Sequence, residues 1–193
     1  MRCMPVKARQ PLPARWGDEY GLAIVRRGIL VRQRIDSAGR ASAIDIAGPG
    51  TAIPIAALND NGATGYAVDD LLLCVLPRTT LENAIAQGGD EARGIVRAQA
   101  SMLERVERIA EARSYLSALT KVASLLLAIA DTLCPPLPLT SVPASIQQRD
   151  LAALLALRHE SVCRSVATLE KSGLVVRNAH GLHFSDRTAL EAT

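Results

Sequence analysis

The chain has 193 residues, of which 49% are hydrophobic but only 3% aromatic, so its core must be built from aliphatic side chains. The formal net charge of +3 permits an anionic partner without requiring one. No apolar run approaches the roughly 18 residues that a membrane span needs, and the N-terminal segment lacks the apolar region of a secretion signal. We therefore expect a cytoplasmic protein that has no membrane partner.

The four cysteines, Cys3, Cys74, Cys134 and Cys163, are scattered along the chain, and the three histidines all lie near the C-terminus. No pair of cysteines has the spacing of metal ligands, so we predict no metal site. In a reducing compartment the simplest expectation is four free thiols. No nucleophile–base or carboxylate pair is recognisable either, and we predict neither catalytic residues nor an enzyme.

The first 80 residues alternate short apolar stretches with glycine-, proline- and asparagine-rich turns, which is typical of β-strands in a sandwich or roll. Leu22–Val25 and Leu71–Leu76 have the composition of buried strands. Between them, two alternating patterns predict strands that bury every second residue: Ile29, Val31 and Ile35 in one, and Ser42, Ile44 and Ile46 in the other.

Residues 90–133 contain no proline and have a helical period. Two columns recur every seven residues, Ile95–Met102–Ile109 and Val96–Leu103–Ala110, and Val106 lies in a third. So wide an apolar stripe can contact the β domain on one side and the same helix of a second copy on the other. The alternative is a lone amphipathic helix packed on its own domain. The predicted dimerisation residues are Ile95, Met102, Val106 and Ile109.

The helical pattern changes phase near Ser114–Leu119, which predicts a break and a second helix over Thr120–Leu133. The proline-rich segment Cys134–Pro138 then predicts a stiff connector. Two short helices are predicted next, over Arg149–Leu155 and His159–Lys171.

The spacing of Ala152, Ala156 and Val162 is that of a helix-turn-helix, with a small contact residue, a turn residue and an apolar anchor. The segments Leu174–Arg177 and Leu182–Ser185 predict a β-hairpin, which would form a wing beside the second helix.

The second helix begins with polar residues, and in a major groove the N-terminal residues of such a helix reach the base edges. Arg164 can donate to guanine and Glu160 can accept from cytosine. His159 and Ser161 lie beside them, and Arg158 and Lys171 complete the predicted set of DNA contacts. The alternative interpretation is a solvated helix face with an ordinary i,i+4 pair between Glu160 and Arg164.

These segments resemble the Crp/Fnr family of transcription regulators over the whole chain. HESVCR is similar to the recognition-helix motif of the family, and LEKSGLV to the end of that helix. PVKARQPLPARWGDEYGLAIVRRG resembles its opening strands, DSAGRASAIDIAGPG its next hairpin, and LLLCVLPRTTLENAI its last strand and the helix that follows.

The resemblance implies an α+β fold with three parts. These are an antiparallel β-roll sensor domain over 1–88, a long dimerisation helix over 89–114 and a winged helix-turn-helix over 115–193. It also implies a homodimer that binds an inverted repeat in double-stranded DNA and acts with RNA polymerase.

The chain departs from the family at its effector sites. Gly50-Thr51 and Ala63-Thr64 stand where cyclic-nucleotide binders have Gly-Glu and Arg-Ser, so the arginine that faces the phosphate is missing and we expect no cyclic AMP. Cys74 resembles one ligand of the iron–sulfur cluster in the oxygen-sensing branch, but Cys3 is the only N-terminal cysteine, so we expect no cluster. The predicted sensor segment has no histidine for haem. We predict no cofactor.

Cys163 stands where the family usually has glycine or serine, directly before Arg164. One interpretation is a small residue without a role; the other is a thiol whose oxidation opposes DNA binding, with Cys74 as the next redox candidate. An alternative function for the whole chain is a redox or small-molecule sensor in which the winged helix binds another protein.

Overall fold

The computed structural model describes residues 1–13, 16, 18–59, 63–133 and 140–193. They form two compact units: unit 1 contains Met1–Ala41 and Ile46–Glu104, and unit 2 contains Ser42–Asp45 and Arg105–Thr193. The predicted α+β class, with an antiparallel N-terminal sheet, a long helix and a C-terminal helix-turn-helix, is confirmed. The division between the units falls inside the long helix. The predicted connector over 134–138, including Cys134, lies outside the described residues.

The N-terminal strands form two sheets, in which the pairs of defined register are antiparallel. One sheet has the order β1-β7-β2-β5 and the other β4-β3-β6. The strands are β1 (Arg2–Val6), β2 (Tyr20–Arg27), β3 (Leu30–Ile35), β4 (Ala41–Ala47), β5 (Ala52–Pro54), β6 (Ala63–Ala67) and β7 (Leu71–Pro77).

The core of unit 1 is largely aliphatic, as the low aromatic content requires; it includes the buried Trp16, and Tyr20 packs against it. Leu30, Ile53 and Leu73 are among its fully buried side chains. Among the described residues, three helices begin in this unit: α1 (Ala56–Asn59), α2 (Arg78–Gln87) and the 26-residue α3 (Gly89–Ser114), which belongs to unit 2 from Arg105 onward.

The predicted alternation in β3 and β4 is wrong in detail. Leu30, Val31 and Arg32 are buried in succession, whereas Ile35 is 43% exposed. Consecutive burial means that the first half of β3 is covered on both faces, and its last residues extend beyond that cover. In β4 the buried positions include Asp45, while Ile44 is only half-buried.

Cys3 and Cys74 form a disulfide, so the expectation of four free thiols is wrong for these two. The two residues are directly opposed in the antiparallel pair β1·β7, with their Cα atoms 4.0 Å apart. This opposition depends on the register between strands 71 residues apart in sequence, which composition does not reveal. Cys74, predicted as a candidate redox thiol, is therefore not a free thiol in this structure.

Unit 2 is built on α4 (Ala118–Thr132), which buries Val122, Leu125, Leu126 and Ile129. Ser117 Oγ accepts a hydrogen bond from the Thr120 N–H at 3.0 Å, which caps α4 and confirms the predicted break after α3. The remaining elements are β8 (Ser141–Pro143), α5 (Gln148–Leu155), α6 (His159–Lys171), β9 (Val175–Asn178), β10 (Gly181–Phe184) and α7 (Arg187–Glu191). No helix among the described residues is long and apolar enough to cross a bilayer.

A buried ion pair joins β4 to α3 inside unit 2. The Nε and Nη2 atoms of Arg105 donate to the two carboxylate oxygens of Asp45 at 3.1 and 3.3 Å. The Asp45 side chain is 0% exposed and that of Arg105 is 9% exposed, so neither charge is solvated by bulk water. The bidentate geometry is what makes the burial of the carboxylate tolerable.

We expect Arg105→Met to lower the free energy of unfolding by about 3–5 kcal/mol, because it leaves the Asp45 carboxylate buried without its guanidinium partner. Arg97→Met, at an exposed position of the same helix, is the matched control and should change stability by about 0.5 kcal/mol or less. Urea unfolding measures both. Equal effects of the two substitutions would show that the buried pair does not hold this region together.

Candidate nucleic-acid interface

Helix α5 begins at a reciprocal cap. The Gln147 N–H donates to Asp150 Oδ2 at 2.8 Å, and Asp150 is 1% exposed. The negative side chain in the first turn also complements the positive end of the helix dipole. One face of α5 is buried, including Leu151 and Leu154, and this fixes how the helix lies on its neighbours.

Ala156 ends α5 in the left-handed conformation, with φ 53° and ψ 38°. Its N–H donates to the carbonyl of Ala152, and so does that of Leu157. This local cap turns the chain sharply, and α6 begins at His159 after the N-cap residue Arg158. The predicted turn at 156–158 and the predicted bounds of the second helix are confirmed.

Helix α6 has two contrasting sides. Val162, Val166 and Leu169 are at most 1% exposed and pack inward. Arg158, His159, Glu160, Arg164 and Lys171 are exposed, and Ser161 is half-buried. The predicted DNA-contacting residues therefore lie on the outer side of the helix or at its N-terminus, where a ligand can reach them.

Glu160 and Arg164 form an ion pair with 3.7 Å between Glu160 Oε1 and Arg164 Nη1. Their side chains are 77% and 71% exposed. An exposed pair of this kind contributes roughly 0–1 kcal/mol, so a ligand can separate the two charges at little cost. The predicted i,i+4 pair is real, and it leaves both side chains available to a partner.

The wing is a three-stranded sheet of order β8-β10-β9, and β8 was not predicted. Gly181 has φ 137°, and a Cβ there would collide with the carbonyl of Val142. The close approach of β10 to β8 at this position therefore requires glycine. At the tip, Asn178 Oδ1 accepts from the N–H of His180 at 2.8 Å. Arg177 Nε donates to Glu170 Oε1 at 2.8 Å, which ties the wing to α6.

A cleft of about 570 Å³ lies between the start of α5, the start of α6 and the wing. Its polar lining includes Gln148, Arg149, His159, Arg177 and Asn178. Of these, only His159 was predicted as a contact residue. The others could not be identified from spacing, because only the folded hairpin brings the wing beside α5.

Positive charge predominates around α6 and this cleft. Arg149, Arg158, Arg164, Lys171 and Arg177 are exposed, and the nearby acidic side chains of Glu160 and Glu170 each pair with one of these arginines. The modest net charge of the chain thus conceals a local excess of cations. Such an excess, next to a projecting helix, suits a polyanion.

The Cys163 thiol is free and half-buried. Its Sγ donates to Gln148 Oε1 at 2.8 Å and lies 3.3 Å from His159 Nε2. Cys163 therefore bridges α5 and α6 as well as preceding Arg164. The hypothesis that its oxidation opposes DNA binding stays a prediction.

The predicted dimerisation residues of α3 have different surroundings. Met102 packs against the core of unit 1 and Ile109 is 2% exposed, whereas Ile95 and Val106 are half-buried. The exposed apolar column is the second one, with Val96 67% and Leu103 58% exposed. Within a single chain, the first column faces inward and the second is free.

We expect Ala156→Gly to raise the free energy of unfolding by about 1 kcal/mol, because glycine adopts the left-handed conformation without the steric penalty of a Cβ. Ala153→Gly, at an exposed right-handed position of α5, is the control and should lower stability by about 1 kcal/mol. Thermal unfolding distinguishes the two signs. Destabilisation by both substitutions would mean that residue 156 is not left-handed in solution.

Comparison with known proteins identifies the family of the C-terminal domain and the fold of the whole chain. Residues 120–193 match the Crp-like helix-turn-helix domain. The structure is similar to that of FixK2 from Bradyrhizobium japonicum, with a TM-score of 0.81, 19% identity, and coverage of 99% of this chain and 96% of that one. No curated protein sequence matches the chain significantly.

Two further solved structures have the same fold. One is a CRP-family transcriptional regulator from Thermus thermophilus, with TM-score 0.73, 19% identity, and coverage of 98% of this chain and 95% of that one. The other is a CooA mutant from Carboxydothermus hydrogenoformans, with TM-score 0.76, 14% identity, and coverage of 99% and 86%. The resemblance inferred from the sequence is thereby confirmed: the chain has the fold of the Crp/Fnr regulators and carries their Crp-like helix-turn-helix domain.

Proposed function

We propose that the protein is a sequence-specific DNA-binding transcription regulator that acts as a homodimer. The observation that carries the proposal is α6, whose polar N-terminal residues project from a buried apolar anchor, beside a wing and within a cationic surface. A helix supported in this way can enter the major groove while the wing contacts the flanking backbone. The Crp-like domain match over the same residues supports it.

The exposed side chains of α6 have chemistries suited to reading bases. Arg164 presents the planar fork that pairs with the O6 and N7 atoms of guanine, and Glu160 accepts from the N4 amine of cytosine. His159 and Ser161 stand at the same end of the helix and can reach neighbouring base edges. Because the Glu160–Arg164 pair is exposed and 3.7 Å long, little is lost when each turns to a base.

The other cations are placed to bind phosphates. Arg158 precedes α6 and Lys171 ends it, and Arg149 and Arg177 line the cleft together with His159. Contacts of this kind hold the protein in register on the duplex without reading sequence. They should also make binding strongly dependent on salt, because each neutralised phosphate releases counterions.

A homodimer presents two copies of α6, related by a two-fold axis, to half-sites about 34 Å apart, so we propose an inverted-repeat site. The exposed Val96–Leu103 column of α3 is the surface we assign to the dimer seam, with Ile95 and Val106 along one side of it. As a regulator bound at a promoter, the protein would act through RNA polymerase. We propose no cofactor for this activity.

We expect Arg164→Ala to weaken binding to the inverted-repeat site by about 1–3 kcal/mol, a factor of roughly 5 to 150, while binding to random DNA changes much less. The control is Lys171→Ala, which removes a phosphate contact and should weaken both kinds of binding similarly. Salt-titrated gel shifts measure the affinities of both variants and of the unsubstituted protein for the two kinds of DNA.

Equal losses on both DNAs for Arg164→Ala would make Arg164 a phosphate contact. Absence of salt-dependent DNA binding by the unsubstituted protein would favour the alternative, a sensor whose winged helix binds another protein.

We expect Leu103→Glu to convert the dimer to monomers in sedimentation experiments, because it places two carboxylates against each other at a two-fold seam. Ile85→Glu, at another exposed apolar position on α2, is the control and should leave the dimer intact. DNA affinity should fall with the dimer. A normal dimer for Leu103→Glu would place the seam on a different face of α3.

A further inference from the structure

The C-terminal carbonyls of α5 are satisfied in two different ways. The N–H groups of Ala156 and Leu157 turn back to the carbonyl of Ala152, within the helix end itself. The carbonyl of Leu154 instead accepts from Arg113 Nε at 2.6 Å, 41 positions earlier in the chain. A side chain of α3 therefore completes the end of α5 immediately before the turn that aims α6.

The same guanidinium has a second anchor. Arg113 Nη2 donates to the carbonyl of Ala43, which is 1% exposed in β4. Ala43 belongs to the segment Ser42–Asp45, which is part of unit 2 together with α5 and α6. One planar side chain thus holds a strand carbonyl and a helix-end carbonyl at once, which suits the rigid donor geometry of arginine.

Arg113 is bound by neutral oxygens. Among the described residues, no carboxylate lies within ion-pair distance of it, and burial lowers the pKa of its guanidinium from the ordinary value. A partly buried cation without a counter-charge depends on its hydrogen bonds for compensation. The two carbonyls therefore stabilise the partly buried Arg113 guanidinium, and Arg113 in turn links the strand segment to the end of α5.

The strand segment Ser42–Asp45, to which Arg113 bonds, has a second hydrogen-bonded contact with α3. Two residues along β4, Asp45 forms its buried bidentate pair with Arg105, which lies about two turns before Arg113 on α3. Ile109 and Ala112, between the two arginines, are buried. This face of α3 therefore bonds to Ser42–Asp45 at two points, and Arg113 also bonds to the end of α5.

We propose that Arg113 is a positioning residue for base recognition: it sets α5, and through the turn at Ala156 the reading helix α6, on the strand segment Ser42–Asp45. A displacement of this segment would consequently change the aim of α6. The inference rests on the proposed DNA binding, since the orientation of α6 matters for recognition only if the helix contacts base edges.

The test compares Arg113→Met with Arg108→Met in the full-length dimer. Arg108 is the matched control because it also lies on α3 and bonds within unit 2, from its Nη1 to Asp131 Oδ2 at 3.1 Å, a residue of α4 and not of α5. Circular dichroism at 10 °C first checks that both variants are folded, and two quantities are then measured at that temperature. They are the ratio of specific to random DNA affinity and the amide exchange of the peptide 152–158.

For Arg113→Met we expect the affinity ratio to fall about tenfold and amide exchange over 152–158 to rise about tenfold, because the end of α5 opens more often. Arg108→Met should change both by about twofold or less. Arg113→Lys keeps the charge but not the planar fork, and should give intermediate values. It replaces Arg113→Met if that variant does not fold.

Ratios and exchange rates equal to those of Arg108→Met would overturn the inference. A purely stabilising role would lower the thermal midpoint but leave the affinity ratio of the folded protein unchanged, which would also overturn it. If the unsubstituted protein does not discriminate between DNAs, the proposed function fails separately. Amide exchange alone then decides whether Arg113 holds α5.

Discussion

Asp45 is buried in a strand of otherwise aliphatic and small residues, and its carboxylate is tolerated there because Arg105 satisfies both oxygens. The pair fixes the register between β4 and α3, since a displacement along either element would leave two charges buried apart. The hydrogen bonds that Arg113 makes from the same face of α3 depend on that register. Arg113 joins the same strand segment to the end of α5, which is also held by the burial of Leu151 and Leu154.

Helix α6, the proposed reading helix, combines a firmly packed inner side with exposed polar side chains on its outer side. Its inner side is fully buried, and its beginning is set by the left-handed residue Ala156. Its outer side chains are exposed, and the one ion pair among them is long. Base reading as proposed requires a helix backbone that stays fixed while the ends of its exposed side chains adapt to the base edges.

The features predicted correctly from the sequence are those that a local pattern determines. The helix over His159–Lys171 was predicted with its observed bounds, because apolar spacing and the turn residues specify it. The break between α3 and α4 followed from a change of phase. The Cys3–Cys74 disulfide, the reach of Arg113 and the cleft lining depend on contacts between distant segments. The two apolar columns of α3 are similar in composition, so only packing reveals which one faces inward.

Selection of binding sites from a pool of random-sequence duplexes tests the central claim most directly. A two-fold dimer reading DNA through α6 should enrich one inverted repeat, with half-site centres about 10 base pairs apart and guanine or cytosine at the positions that Arg164 and Glu160 reach. A pool that gains no common sequence after repeated selection, or gains only a single unrepeated element, would contradict the account.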